Sequence, residues 1–142
     1  MKQTLPTIEA FIAKHHVMTL ATSRENTPHA CNLFYTYLHD TTLFVVASDP
    51  STEHMGNVET NDAVAGTIVL ETKTVGKIEG LQFKARMRRA LREEESAYFR
   101  AFPYAKVMNP VLWAIVPLQM KLTDNRLGFG KKLMWTRDAV SG

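Results

Sequence analysis

Ser48, Ser51, Thr52 and His54 place three hydroxyls and one imidazole within seven residues, SDPSTEH. Ser51 or Thr52 suits the cap of a short helix, with Glu53 in its first turn. A helix start carries unpaired backbone N–H groups that attract anions. On the residues alone two uses compete: a phosphate contact, or a helix cap with a satisfied polar neighbour. His54 adds charge only when protonated, and Glu53 beside it repels an anion.

The cations are more scattered. Lys84, Arg86, Arg88, Arg89 and Arg92 form the densest basic run. Such a run reads first as a solvated face, partly neutralised by Glu93, Glu94 and Glu95. Anionic cofactor binding comes second and nucleic acid third, so no nucleic-acid partner is expected. Lys131 and Lys132 follow Gly128-Phe129-Gly130, where the backbone can approach a ligand closely, and Trp135 lies at the same end. Cys31, between Ala30 and Leu33, reads as a buried, inert thiol. Of the five histidines only His15 and His16 adjoin, and adjacent residues do not share a helix face, so no metal site is expected. No P-loop or Ser-His-Asp arrangement stands out, and no general base can be named.

These side chains need elements to hold them. A helix is predicted over 4–16, capped by Thr4 or Thr7, with Ile8, Phe11, Ile12 and His15 on one face and Lys14 to His16 at its end. Strands follow over 17–23, 29–37 and 43–48, joined by short polar turns. After Thr52 comes a short helix with Met55 and Val58 inward. Strand four spans 63–70 and strand five 75–88, where Phe83, Ala85 and Met87 alternate with Lys84, Arg86 and Arg88. A helix over 92–102 buries Tyr98, Ala101 and Phe102. Strand six spans 112–123, with Pro117 implying an edge or a bulge, and a last strand spans 128–137. The short connectors favour an antiparallel meander over βαβ units, and a small barrel with helices at its ends is the natural architecture.

Composition agrees. The chain has 142 residues, 45% hydrophobic and 22% charged, which fits one globular domain over 1–142. The net charge of +3 excludes a strongly acidic protein. One cysteine excludes an internal disulfide and a Cys-based zinc cage within one chain. The opening MKQTLPTIEAFIAKHH has no apolar run like a signal-peptide core, and nothing approaches the roughly 18 apolar residues of a membrane span. A cytoplasmic protein without a membrane partner is expected.

The order of motifs carries a resemblance. LAT (20–22), a turn with Pro28, a strand with Phe34 and Tyr35, SDPSTEH (48–54), NDAVAGTI (61–68), GKIEGLQFKA (76–85) and FP (102–103) follow one another. Together they resemble the flavin-binding split-barrel superfamily typified by pyridoxamine 5′-phosphate oxidase. AVAGT (63–67), KTVGKIEGLQFKARMRR (73–89), EEES (93–96) and TDNRLGFGKKLMW (123–135) are similar to its YhbP-type, UPF0306 branch. The resemblance implies a mainly β fold: a six- to seven-stranded antiparallel split β-barrel with short flanking helices. It also implies a homodimer with FMN in clefts at the interface. The oxidase's phosphate-binding arginine falls on Cys31 and its first lysine on Thr36. Its strand-end threonine falls on Ser48, and its Ser-x-Lys on Thr52, Glu53 and His54. By the same resemblance the cofactor contacts are Asn32, Phe34, Ser48, Ser51, Thr52 and His54, with Arg86, Lys131 and Trp135 supplying cations and an aromatic. Arg126 is a further candidate by region. The implied chemistry is flavin-dependent redox of a small molecule, for which the cofactor carries the hydride. The replaced arginine and lysine leave a cofactor-free barrel acting as a binding module as the alternative. Haem binding, as in some split-barrel relatives, is a third. Oxidation of pyridoxamine phosphate is not expected, because LGFGKKLMW (127–135) lacks the oxidase's C-terminal substrate motif.

Overall fold

A computed structural model describes residues 4–128 and 131–138. The strands are β1 (Val17–Arg24), β2 (Thr27–Leu38), β3 (Leu43–Ala47), β4 (Ala63–Val69), β5 (Glu79–Arg89), β6 (Leu112–Asp124) and β7 (Lys132–Thr136). The helices are α1 (Thr4–Ala13), α2 (Glu53–Thr60) and α3 (Arg92–Ala101). The sheet runs β3-β2-β1-β4-β5-β6-β7, and β3 also pairs with β6. Six antiparallel strands therefore close into a ring, and β7 stands outside it. β6 makes both pairings because it is long. Its residues Leu112 to Ile115 face β3, and Gln119 to Thr123 face β7. Between these halves Ala85 pairs with Pro117 and Lys84 with Gln119, which leaves Leu118 in a bulge. Pro117 has no N–H to give a ladder, so it sits where the ladder breaks. The expected split barrel is the fold observed.

Period-two alternation sets the inside and the outside. Met18, Leu20, Phe44, Val46, Ile68, Leu81, Phe83, Met87, Ile115, Met120 and Leu122 fill the barrel. Ile8, Phe11 and Ile12 of α1 join this core, as do Met55 and Val58 of α2. A smaller cluster of Leu43, Val45, Tyr98, Leu112 and Ala114 lies under α3. Gly66 is fixed by the barrel interior. A Cβ there would lie 2.2 Å from the ring of Phe83, which occupies the space a side chain would need. Buried charges are paired. Glu94 accepts two bonds of 2.9 Å from Arg88 and one from the Leu91 N–H. Glu79 and Asp124 share Arg126 at 2.9 and 3.3 Å.

Several expectations need correction. α1 ends at Ala13, so Lys14 to His16 lie beyond it, and His15 packs its ring 4.5 Å from that of Phe11. β5 begins only at Glu79. Residues 75–77 form a 3-10 turn that Asn125 holds by bonds to Val75 and Ile78 carbonyls. Ala101 is exposed, and Glu94 takes the inner position because Arg88 neutralises it. The last strand starts at Lys132 rather than Gly128; Phe129 and Gly130 lie outside the described residues.

Candidate functional site

Sequence proximity and local turns build a polar corner at the start of α2. Thr52 is the cap: its Oγ1 accepts from the Met55 N–H at 3.4 Å and donates to the Asp49 carbonyl at 2.8 Å. The Asp49 carboxylate accepts from the N–H and hydroxyl of Ser51, which holds its pKa below the usual carboxylate range. Ser48 Oγ and His54 Nε2 share a hydrogen bond, with Thr52 Oγ1 3.3 Å from the same nitrogen. The Trp113 indole N–H donates to the Ser48 carbonyl, and Asn57 ties α2 to Thr22 of β1. His54 is only 8% exposed. Burial, and then the neighbouring His29, push its pKa below that of an ordinary imidazole, so it is neutral at pH 7. His29 stacks on it at 6.2 Å and contacts Glu53 at 3.2 Å. The hydroxyls and imidazole converge as expected, but they satisfy one another.

The outer face of the sheet has the opposite character. β1 and β4 send Thr19, Ala21, Ala65 and Thr67 outward, all small. β5 and β6 send out Gln82, Lys84, Gln119 and Lys121. The result is a groove of about 540 Å³, low on the β1–β4 side, high on the β5–β6 side and closed at one end by Met134. The register sets Gln82 beside Lys121 and Lys84 beside Gln119, so ammonium groups and carboxamides alternate across the two strands. A second depression of about 460 Å³ shares Ala21, Ala65 and Lys84 and continues toward Arg86, Leu118 and Pro28. Among the described residues, Arg86, Arg88 and Arg126 stand in ion pairs, and His29 and His39 lie against carboxylates; neither Lys84 nor Lys121 is in an ion pair.

The sequence candidates divide between these regions. Ser48, Thr52 and His54 meet at the corner with Ser51 exposed beside them. Asn32 sits at the groove rim, where its Oδ1 accepts from the Thr19 hydroxyl at 2.8 Å. Arg86 lines the second depression and pairs with Asp62 at 2.6 Å. Phe34 is exposed on β2 between the rings of His16 and Phe102. Lys131 is exposed ahead of β7, with its carbonyl accepting from the Asp124 N–H. Trp135 turns inward onto the barrel core. Within the chain the last three lie apart from both regions. Arg126 is committed to Glu79 and Asp124. Cys31 is half-buried, and burial pushes its thiol pKa up. Among the described residues no three His, Cys, Asp or Glu side chains are placed to hold a metal ion together, and no helix is long and apolar enough to cross a membrane. Sequence reasoning missed Thr19, Thr67, Gln82, Gln119 and Lys121. Their one signal was the outward phase of four strands, and it becomes a site only once the strand order is known.

Comparison with known proteins bears on both regions. Residues 4–124 match the family described as Pyridoxamine 5′-phosphate oxidase. A UPF0306 protein from Klebsiella pneumoniae strain 342 is 41% identical over 141 residues, covering 96% of each chain. The UPF0306 protein YhbP of Shigella sonnei is 38% identical, again over 96% of each. Among solved structures, a heme binding protein from Mycobacterium smegmatis superposes with a TM-score of 0.72 at 20% identity, covering 88% of this chain and 54% of that one. A FAD-binding protein from Mesorhizobium loti gives 0.69 at 12% identity, covering 83% and 90%.

Proposed function

Because the chain belongs to the pyridoxamine 5′-phosphate oxidase family, in its UPF0306 branch, we propose that it is a homodimer that binds FMN and uses it in redox of a small molecule. The observation that carries this reading is the outer-face groove. Its volume lies in the range of roughly 300–1,000 Å³ typical of small-molecule sites. FMN is a flat ring with amide-like edges and an anionic tail. The donor set fits it: small residues leave room for a ring, Gln82 and Gln119 offer carboxamides to its edge, and Lys84, Lys121 and Arg86 offer charge to its phosphate. Bound flavin would supply hydride transfer, and the protein's part is to hold, orient and shield the ring. The second protomer covers the open side of the groove. Asn32, Phe34 and the Ser51–Thr52 edge are then available as contacts across the interface.

A cofactor-free binding module is the second reading, favoured by the corner at α2, where Ser48, Thr52 and His54 are already bonded to each other. An absorbance scan of freshly purified protein, followed by FMN, riboflavin and hemin titrations, separates the readings. FMN saturation at micromolar concentration, weakened by Lys84→Ala with Lys121→Ala, is the expected result. No flavin band and no FMN binding would reject the proposal in favour of the module. A hemin Soret shift without FMN binding would point instead to haem.

A further inference from the structure

We propose that Arg137 is a positioning residue: it holds β7 against the barrel and through Met134 sets one end of the outer-face groove. The ligand half of this inference rests on the functional reading above.

In the sheet β7, five residues long, pairs with β6 alone, and α1 packs against it. A strand so short, paired on one edge, belongs to the least stable part of a sheet. Arg137 follows directly after β7. The Arg137 N–H donates to the Leu118 carbonyl at 2.8 Å. Its side chain then forks: Nε donates to the Pro117 carbonyl at 2.8 Å, and Nη2 to the Thr42 carbonyl at 2.6 Å. Pro117 and Leu118 mark the bulge where β7 and β3 part along β6. Thr42 is the turn residue that leads into β3, with φ at 55°. Arg137 thus links the end of β7 to the turn before β3, two strands that the sheet ladder does not pair with each other. A planar fork of donors can reach two carbonyls at once; a lysine ammonium is a single point.

The consequence for the groove comes from strand geometry. Met134 and Trp135 are consecutive, so they face opposite sides of β7. Trp135 packs inward on the core, with the Arg137 guanidinium 5.4 Å from its ring centre. Met134 faces outward, 51% exposed, at the groove's end. Whatever fixes Trp135 inward fixes Met134 outward. The C-terminal Trp and Arg of this chain clasp its own barrel, which the sequence did not suggest.

The test compares Arg137→Ala, Arg137→Lys, Met134→Ala and the double variant Met134→Ala/Arg137→Ala, by amide exchange and FMN titration. Arg137→Ala should raise exchange at Leu133 to Thr136 by about tenfold or more while leaving Val45, inside the ring, unchanged. FMN affinity should fall by about tenfold. Arg137→Lys should fail to restore either. Met134→Ala should weaken FMN without raising exchange, and the double variant should bind no more weakly than Arg137→Ala alone. Unchanged exchange in β7 would overturn the clasp. Additive affinity losses in the double variant would overturn the route through Met134. Wild-type protein that binds no FMN would overturn the functional reading and the groove half of the inference, while exchange would still decide whether Arg137 holds β7.

Discussion

The corner at α2 and the groove on the outer sheet face hold the same kinds of polar group in opposite states. At the corner, Ser48, Thr52 and His54 bond to one another and His54 is neutral. In the groove, Lys84 and Lys121 stand on strands with no carboxylate among the described residues paired to them. A polar side chain already bonded inside the fold contributes to stability, and recruiting it for a ligand costs that contribution. A cation held in solvent by a rigid strand costs little to recruit. Residue type alone does not separate these cases, and the hydrogen-bond partners do.

Removing both lysines breaks the comparison most directly. Lys84→Ala with Lys121→Ala should weaken FMN binding by about two orders of magnitude, at about 1–2 kcal/mol per charge-assisted contact, with little change in melting temperature. Loss of stability with unchanged affinity would reverse the roles assigned to the two regions. Ser48→Ala should do the opposite. It leaves the buried His54 nitrogen without its closest partner and should destabilise by about 1–3 kcal/mol in urea titration, with affinity changed less than about threefold. The smallest expected effect is a pH effect. His54 has a lower pKa folded than unfolded, so the unfolded chain binds the proton more readily. Its contribution is full above about pH 6.5 and is lost as pH falls through the folded value. His15, lowered mainly by burial, acts in the same direction. Urea midpoints should therefore fall between pH 7.5 and 5.5, and His54→Asn should flatten part of that slope. An identical slope in the variant would remove His54 from the account.

Much of the fold was legible because strands announce themselves locally. Phe83, Ala85 and Met87 alternate with Lys84, Arg86 and Arg88, and that pattern alone placed them inside and outside the barrel. Pro117 announced an edge or a bulge for the same local reason, and the bulge is what β6 has. Ring closure by β3 with β6 was not legible in the alternation, because it depends on pairing residues about 70 apart. The start of β5 was missed because Asn125, far along the chain, stabilises the turn before it. Of the site, the corner was legible as a short cluster of hydroxyls beside a helix start. That the cluster closes on itself stood in the sequence as one of two uses, and side-chain burial decides between them. The groove was not legible as a site: four strands each send out two ordinary residues, and a fifth adds Met134.

The bulge at Leu118 has an evolutionary consequence. β6 is one continuous strand paired with β5 along its length, with β3 beside its first half and β7 beside its second. Gaining or losing a residue before Ile115 would shift the register with both β3 and β5 and turn core side chains outward. At Leu118 the ladder is already interrupted, so a length change there can be absorbed by reshaping the bulge. The ring and β7 are in this sense separable parts on a shared axle. Relatives with longer or shorter tails should differ in length at this joint, and the barrel ahead of it should stay the same size.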